Sequence, residues 1–262
     1  MNTTLQRVSS ADGTSIAIER QGDGPPVVLV CGGSVDRGSL AELATLMAAD
    51  YSVLNFDRRG RGDSGDTLPY GVEREVEDIE AVIAAADGSA ALFGSSSGAA
   101  LALNATAAGA SVSRLALWEP PYIPDPAMRP PADQVEQYET MVAEGRRGDA
   151  AEYFMSRVVG MPPDFVAYAK SQPWWANQEA LAHTLAYDAR IMGDYSVPVE
   201  MAARVAVPTL ILDGSASQPF MKPGTDALAA AMPSATRRTL ADQQHNVDMS
   251  ILAPVLAEFF RS

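Results

Sequence analysis

Short apolar runs rich in β-branched residues recur along this 262-residue chain, separated by helix-like stretches. That alternation limits the fold more than any other feature. Residues 27–31 (VVLVC), 52–56 (SVLNF), 91–93, 115–118 and 209–212 show no regular polar face. Such runs suit strands buried on both sides, as a parallel sheet requires. Stretches 40–48, 72–86, 98–108, 225–231 and 251–260 read as helices. The expected class is therefore α/β, a mostly parallel central sheet with helices on both faces. Residues 16–19 follow an Asp12-Gly13 turn and read as part of an opening hairpin.

The rhythm breaks once, between Trp118 and Val207. Six prolines fall in 120–131, which excludes helix interior and reads as a connecting arm. Amphipathic stretches follow at 135–145, 150–159 and 179–192. The block 119–200 holds ten of the chain's 18 aromatic residues. We read it as a helical cap inserted into a core made of 1–118 and 201–262. Trp174, Trp175, Tyr122, Phe154, Phe165 and Tyr187 are candidates for an apolar pocket, with most of them expected in the core of the cap.

Composition removes several function classes. Thirty-three acidic residues against 19 basic ones give a net charge of −14, which disfavours nucleic acid and anionic membrane as partners. No run approaches the ~20 apolar residues of a membrane span, and the polar N-terminus lacks an apolar signal core, so a cytoplasmic location is expected. One cysteine, Cys31, and two histidines, His183 and His245, are too few for a usual zinc site. No metal or cofactor is expected.

Gly94-Ser95-Ser96-Ser97-Gly98 matches G-x-S-x-G, between an apolar strand ending at Phe93 and an alanine-rich helix. A nucleophile elbow needs that strand–turn–helix order, because small neighbours permit the tight turn that pushes the Ser96 hydroxyl outward. Serine is a weak nucleophile near neutral pH and needs an adjacent base. His245 is the candidate, whereas His183 lies in a cap helix pattern and reads as packing or pocket lining. Residues 60–65 also spell G-x-G-x-x-G, but they do not join a strand directly to a helix, and we read them as a solvated loop rather than a dinucleotide site.

With these residues the sequence resembles the α/β-hydrolase family. Asp57-Arg58-Arg59-Gly60-Arg61-Gly62-Asp63-Ser64 is similar to that family's D-x-R-G-x-G-x-S loop. Cys31-Gly32-Gly33 stands where members commonly carry His-Gly and a residue lining the oxyanion hole. Gln244-His245-Asn246 resembles the loop that delivers the catalytic histidine. The resemblance implies an α/β-hydrolase fold with an inserted helical cap, Ser96 as nucleophile, His245 as base, and the amides of Gly33 and Ser97 as oxyanion donors.

The acid is the difficult member. Most of the family place it three residues beyond the glycine here numbered Gly214, where this chain has Ser217. Glu119, at the end of the strand after the elbow, is the favoured substitute, as haloalkane dehalogenases of the same fold carry a glutamate there. Asp213 remains the other candidate. The expected activity is hydrolysis of a small, largely apolar ester or lactone through an acyl-enzyme. Perhydrolysis, carbon–carbon hydrolysis and cyanohydrin cleavage use the same triad in this family. A ligand-binding or scaffold protein with weak or no turnover is the alternative, motivated by Ser217 and Cys31.

Overall fold

A computed structural model describes residues 4–261. Eight strands form one sheet: β1 (Thr4–Ser9), β2 (Ser15–Gln21), β3 (Pro26–Val30), β4 (Ser52–Phe56), β5 (Ala90–Ser95), β6 (Val112–Trp118), β7 (Thr209–Gly214) and β8 (Ala235–Leu240). Their order across the sheet is β1-β2-β4-β3-β5-β6-β7-β8. The β1/β2 and β2/β4 pairs are antiparallel, and all the others are parallel. The apolar runs become strands, and Val27 to Val30 and Val53 to Phe56 are wholly or almost wholly shielded, as two covered faces demand. In open parallel sheets the carboxyl ends of the strands form the crevice where ligands bind. Ser96, Glu119 and the loop after β3 all lie there.

Six helices belong to the regular core pattern: α1 (Ala41–Met47), α2 (Val72–Ala84), α3 (Ser97–Ala108), and, after the excursion described next, α9 (Val199–Ala202), α10 (Met221–Ala231) and α11 (Met249–Arg261). Helix α3 is apolar nearly all round, and Ala99 to Leu103 are fully buried. Its alanines let it pack closely against α2 and the sheet. The short α9 contacts α3 and α10.

Between β6 and α9 the chain passes through α4 (Gln134–Ala143), α5 (Arg147–Tyr153), α6 (Pro163–Lys170), α7 (Trp175–Leu181) and α8 (Leu185–Met192). Tyr138, Met141, Ala150, Leu185 and Ala186 form a separate small apolar cluster among these helices. Helix α8 also touches α2 and α3, which ties the excursion to the sheet layer. The sequence pattern treats 150–159 as one amphipathic stretch; in the structure α5 ends at Tyr153 and Phe154 to Val158 form a wide π turn. Such turns rotate side chains off a regular helix face, and they concentrate at functional sites.

The glycines of the G-x-S-x-G turn are explained by close backbone approach. A Cβ on Gly98 would strike the carbonyl oxygens of Cys31 and Val30, and one on Gly94 would lie 2.6 Å from Ala99 Cα. At Gly109, which ends α3, a Cβ would meet nothing within 4 Å, and there the φ of 104° is what calls for glycine. Crowding alone sets residue 98. Backbone cannot yield as a flexible side chain can, so Gly98→Ala is expected to lower unfolding free energy by about 3 kcal/mol, read by urea unfolding.

Candidate active site

Strand β5 ends at Ser95, and α3 begins at Ser97, so Ser96 alone makes the turn. Its φ of 57° and ψ of −127° lie where a non-glycine residue is held at a cost of roughly 1–3 kcal/mol. The turn persists because it is anchored: the Ser96 N–H donates to the Trp118 carbonyl at 2.8 Å, and its carbonyl accepts from Ala99 at 2.9 Å. Ser96 is left lining a cavity of about 810 Å3.

His245 lines the same cavity and is held from two sides. Its carbonyl accepts from the indole N–H of buried Trp118 at 2.9 Å, and its Nδ1 lies 2.7 Å from Glu119 Oε2. A carboxylate is an acceptor, so this contact puts the ring proton on Nδ1 and leaves Nε2 with the lone pair in the neutral imidazole. Glu119 is fully buried with φ of +44°, and its other oxygen accepts from the Gly214 N–H at 2.8 Å. Its own N–H donates to Leu212 at 2.9 Å, tying it to β7.

The other acid candidate faces elsewhere. Asp213 is paired with Arg237 at 2.5 Å and lies 3.4 Å from the Thr225 hydroxyl. Ser217 lines the cavity with a buried hydroxyl. His183 sits outside the cavity lining, in a single 3-10 turn beside Arg147 and Gly60, where burial and then Arg147 lower its affinity for a proton. Packing describes it; pocket lining does not.

Gly33 and Ser97 both line the cavity, and neither backbone N–H has a hydrogen-bond acceptor among the described residues. Two free amides beside a hydroxyl at a helix N-terminus can accept developing negative charge. Cys31 is fully buried, and burial raises its thiol pKa, which makes it an inert small apolar group. Among the described residues no three His, Cys, Asp or Glu side chains cluster as a metal would need. No described helix is long and apolar enough to cross a membrane.

The walls are apolar. Phe154, Met155 and Val158 of the π turn line the cavity, as do Met161 and Met192 from the same excursion and Phe220 and Met249 from the core. Of the six aromatic candidates, Phe154, Phe165 and Trp174 line it, while Tyr122, Trp175 and Tyr187 do not and are buried. Neither arginine nor lysine lines the cavity.

The 60–65 loop, expected to be solvated, is so only in part, and the residues just before it are buried. Gly62 and Asp63 are exposed, but Arg58, Arg59 and Arg61 are all but sealed from solvent. Each finds a carboxylate: Glu75 and Asp188 for Arg58, Asp78 and Asp12 for Arg59, and Asp188 for Arg61. Asp188 lines the cavity and comes from α8. Sequence reasoning missed it, and the available signal was three arginines crowded into one loop of an acidic chain.

A family model for the alpha/beta hydrolase family matches residues 27–255. An alpha/beta hydrolase structure from Sphaerobacter thermophilus DSM 20745 is 50% identical, covers 97% of this chain and 100% of its own, and superposes with a TM-score of 0.92. An esterase from Thermogutta terrifontis shares the fold at TM-score 0.76 and 20% identity, covering 98% of each chain. The uncharacterized hydrolase YraK of Bacillus subtilis (strain 168) is 35% identical over 107 residues, 39% of this chain and 38% of that protein. With the sheet order, the turn at Ser96 and a family match over most of its length, the chain belongs to the alpha/beta hydrolase family.

Proposed function

We propose that the protein is a serine hydrolase that cleaves a small, largely apolar ester or lactone through an acyl-enzyme. The 2.7 Å contact between His245 Nδ1 and Glu119 Oε2, at the cavity that Ser96 also lines, carries this reading. Glu119 holds the imidazole in the tautomer whose Nε2 can take a proton and stabilises the imidazolium that results. Ser96 Oγ attacks the substrate carbonyl and gives its proton to His245. The carbonyl oxygen becomes an oxyanion under the Gly33 and Ser97 amides. The tetrahedral species expels the alcohol, which takes the proton from His245, and an acyl-Ser96 ester remains. Water, deprotonated by the same histidine, then releases the acid and restores the serine.

The helices between β6 and α9 act as a cap that supplies much of the apolar wall. A cavity of this size, with no lysine or arginine in its lining, favours an uncharged acyl group over one carrying a second carboxylate. The fold likeness to esterases agrees with ester chemistry. Serine at residue 96, where dehalogenase and epoxide-hydrolase chemistry uses an aspartate, argues against an alkyl-ester intermediate.

Three outcomes are expected. A fluorophosphonate probe should label folded protein stoichiometrically at Ser96, and Ser96→Ala should abolish labelling; well-folded protein that stays unlabelled would favour a ligand-binding role. Glu119→Gln should lower kcat on 4-nitrophenyl butyrate by on the order of 10²- to 10⁴-fold, while Asp213→Asn leaves it near the wild-type value. The 4-nitrophenyl half-ester of succinate should show kcat/KM at least about tenfold below the butyrate ester, since its carboxylate would meet no cation.

A further inference from the structure

Arg58, Arg61 and Asp188 have no part in the mechanism above, yet they meet against Gly32 and Ser97, beside its oxyanion donors. Arg61 Nη2 donates to both Asp188 oxygens at 2.9 Å. Its Nη1 donates to the Gly32 carbonyl at 2.6 Å and to the Val35 carbonyl at 3.1 Å. Asp188 Oδ1 also accepts from the Ser97 hydroxyl and from Arg58, each at 2.8 Å. Arg58 in turn forks onto Glu75 at 2.7 and 2.9 Å. Two cations and two anions thus balance in a buried cluster that meets the cavity only at Asp188.

The geometry points to Arg61 as a positioning residue for the Gly33 amide, with Asp188 as the anchor that holds Arg61 in place. This rests on the reading of Gly33 as an oxyanion donor. The Gly32 carbonyl and the Gly33 N–H belong to one trans peptide, so they point in opposite directions. A guanidinium outside the cavity lining that is fastened to the carbonyl therefore turns the N–H away from itself, at a residue that lines the cavity. A cationic donor on the carbonyl also polarises that peptide and makes its N–H a stronger donor.

Residues 31–35 belong to neither helix nor strand, so no regular ladder sets this orientation. Glycine at residues 32 and 33 allows the peptide to rotate, so an external hold is needed. Arginine suits the task because one terminal nitrogen grips the carboxylate while the other reaches two carbonyls, which a single ammonium could not do in this arrangement. Burial works to raise the Asp188 carboxyl pKa, but the Arg61 and Arg58 charges and the Ser97 hydroxyl outweigh it, so the anchor stays ionised. Because Asp188 belongs to α8 and also accepts from the Ser97 hydroxyl, one carboxylate ties both the Arg61 hold on Gly32 and the first residue of α3 to the same helix.

The test compares Arg61→Lys with the double variant Arg61→Met/Asp188→Asn, in which the Arg58–Glu75 pair keeps the region neutral. Both are measured on 4-nitrophenyl butyrate, with rates referred to the folded, titratable fraction. Misaiming the donor should lower kcat by on the order of 10- to 100-fold with little change in KM. Affinity for phenylboronic acid, which forms a tetrahedral oxyanion on the serine, should fall in parallel, while inhibition by the product butyrate is retained. Wild-type kcat in either folded variant, or a loss confined to KM, would overturn the role of Arg61 while leaving the serine mechanism standing. Failure of the fluorophosphonate to label wild-type protein would instead remove the underlying reading. Arg61→Lys keeps the charge and the pairing with Asp188, so it decides the matter if the double variant does not fold.

Discussion

The buried carboxylate of Glu119 is the contact on which the rest of the site depends. It sits at the end of β6, one residue after a strand flanked by β5 and β7. From there one oxygen reaches His245 and the other Gly214, while the adjoining Trp118 holds the Ser96 N–H and the His245 carbonyl. Three loops separated by much of the chain are thus referenced to one strand end. A charge without access to water is stable there because both oxygens have donors. Loss of either donor would leave it uncompensated, which couples the placement of the histidine to the integrity of the sheet.

Strain and burial divide the work. Ser96 and Glu119 both occupy the left-handed φ region, which side chains other than glycine rarely adopt. Neither would hold alone, but Ser96 is fixed through its N–H and its carbonyl, and Glu119 through its N–H and both side-chain oxygens. The charge cluster against the loop after β3 follows the same logic. Replacing buried ion pairs with apolar side chains is often neutral or stabilising, so such a cluster is better understood as setting geometry than as adding stability. Here the geometry set is that of the loop after β3 against the N-terminus of α3.

Much of this was legible in the sequence where a local rule governs the outcome. Short apolar runs specify buried strands, and small residues around Ser96 specify a tight strand-to-helix turn. Ser217 at the usual acid position drew attention to the strand end at Glu119, the carboxylate that meets His245 in the structure. The 60–65 stretch reads as a solvated loop because charge ordinarily marks a surface, yet Arg61 within it is buried. Whether an arginine is buried depends on carboxylates that Glu75, Asp78 and Asp188 bring from distant segments, and no spacing rule reports that. Asp188 lies within the amphipathic stretch 179–192, where an acidic residue suggests the solvent face, yet its face of α8 meets α3. The π turn at 154–158 was equally hidden, since its sequence carries the same periodicity as the helix before it.

The central claim is that an acyl group passes through the hydroxyl of residue 96, and rapid-quench intact mass spectrometry during turnover of 4-nitrophenyl acetate tests it most directly. A serine mechanism predicts a gain of one acetyl group in the first turnover, located by peptide mapping on the segment containing Ser96. Unmodified protein throughout active turnover, or an acetyl group confined to another residue, would contradict it.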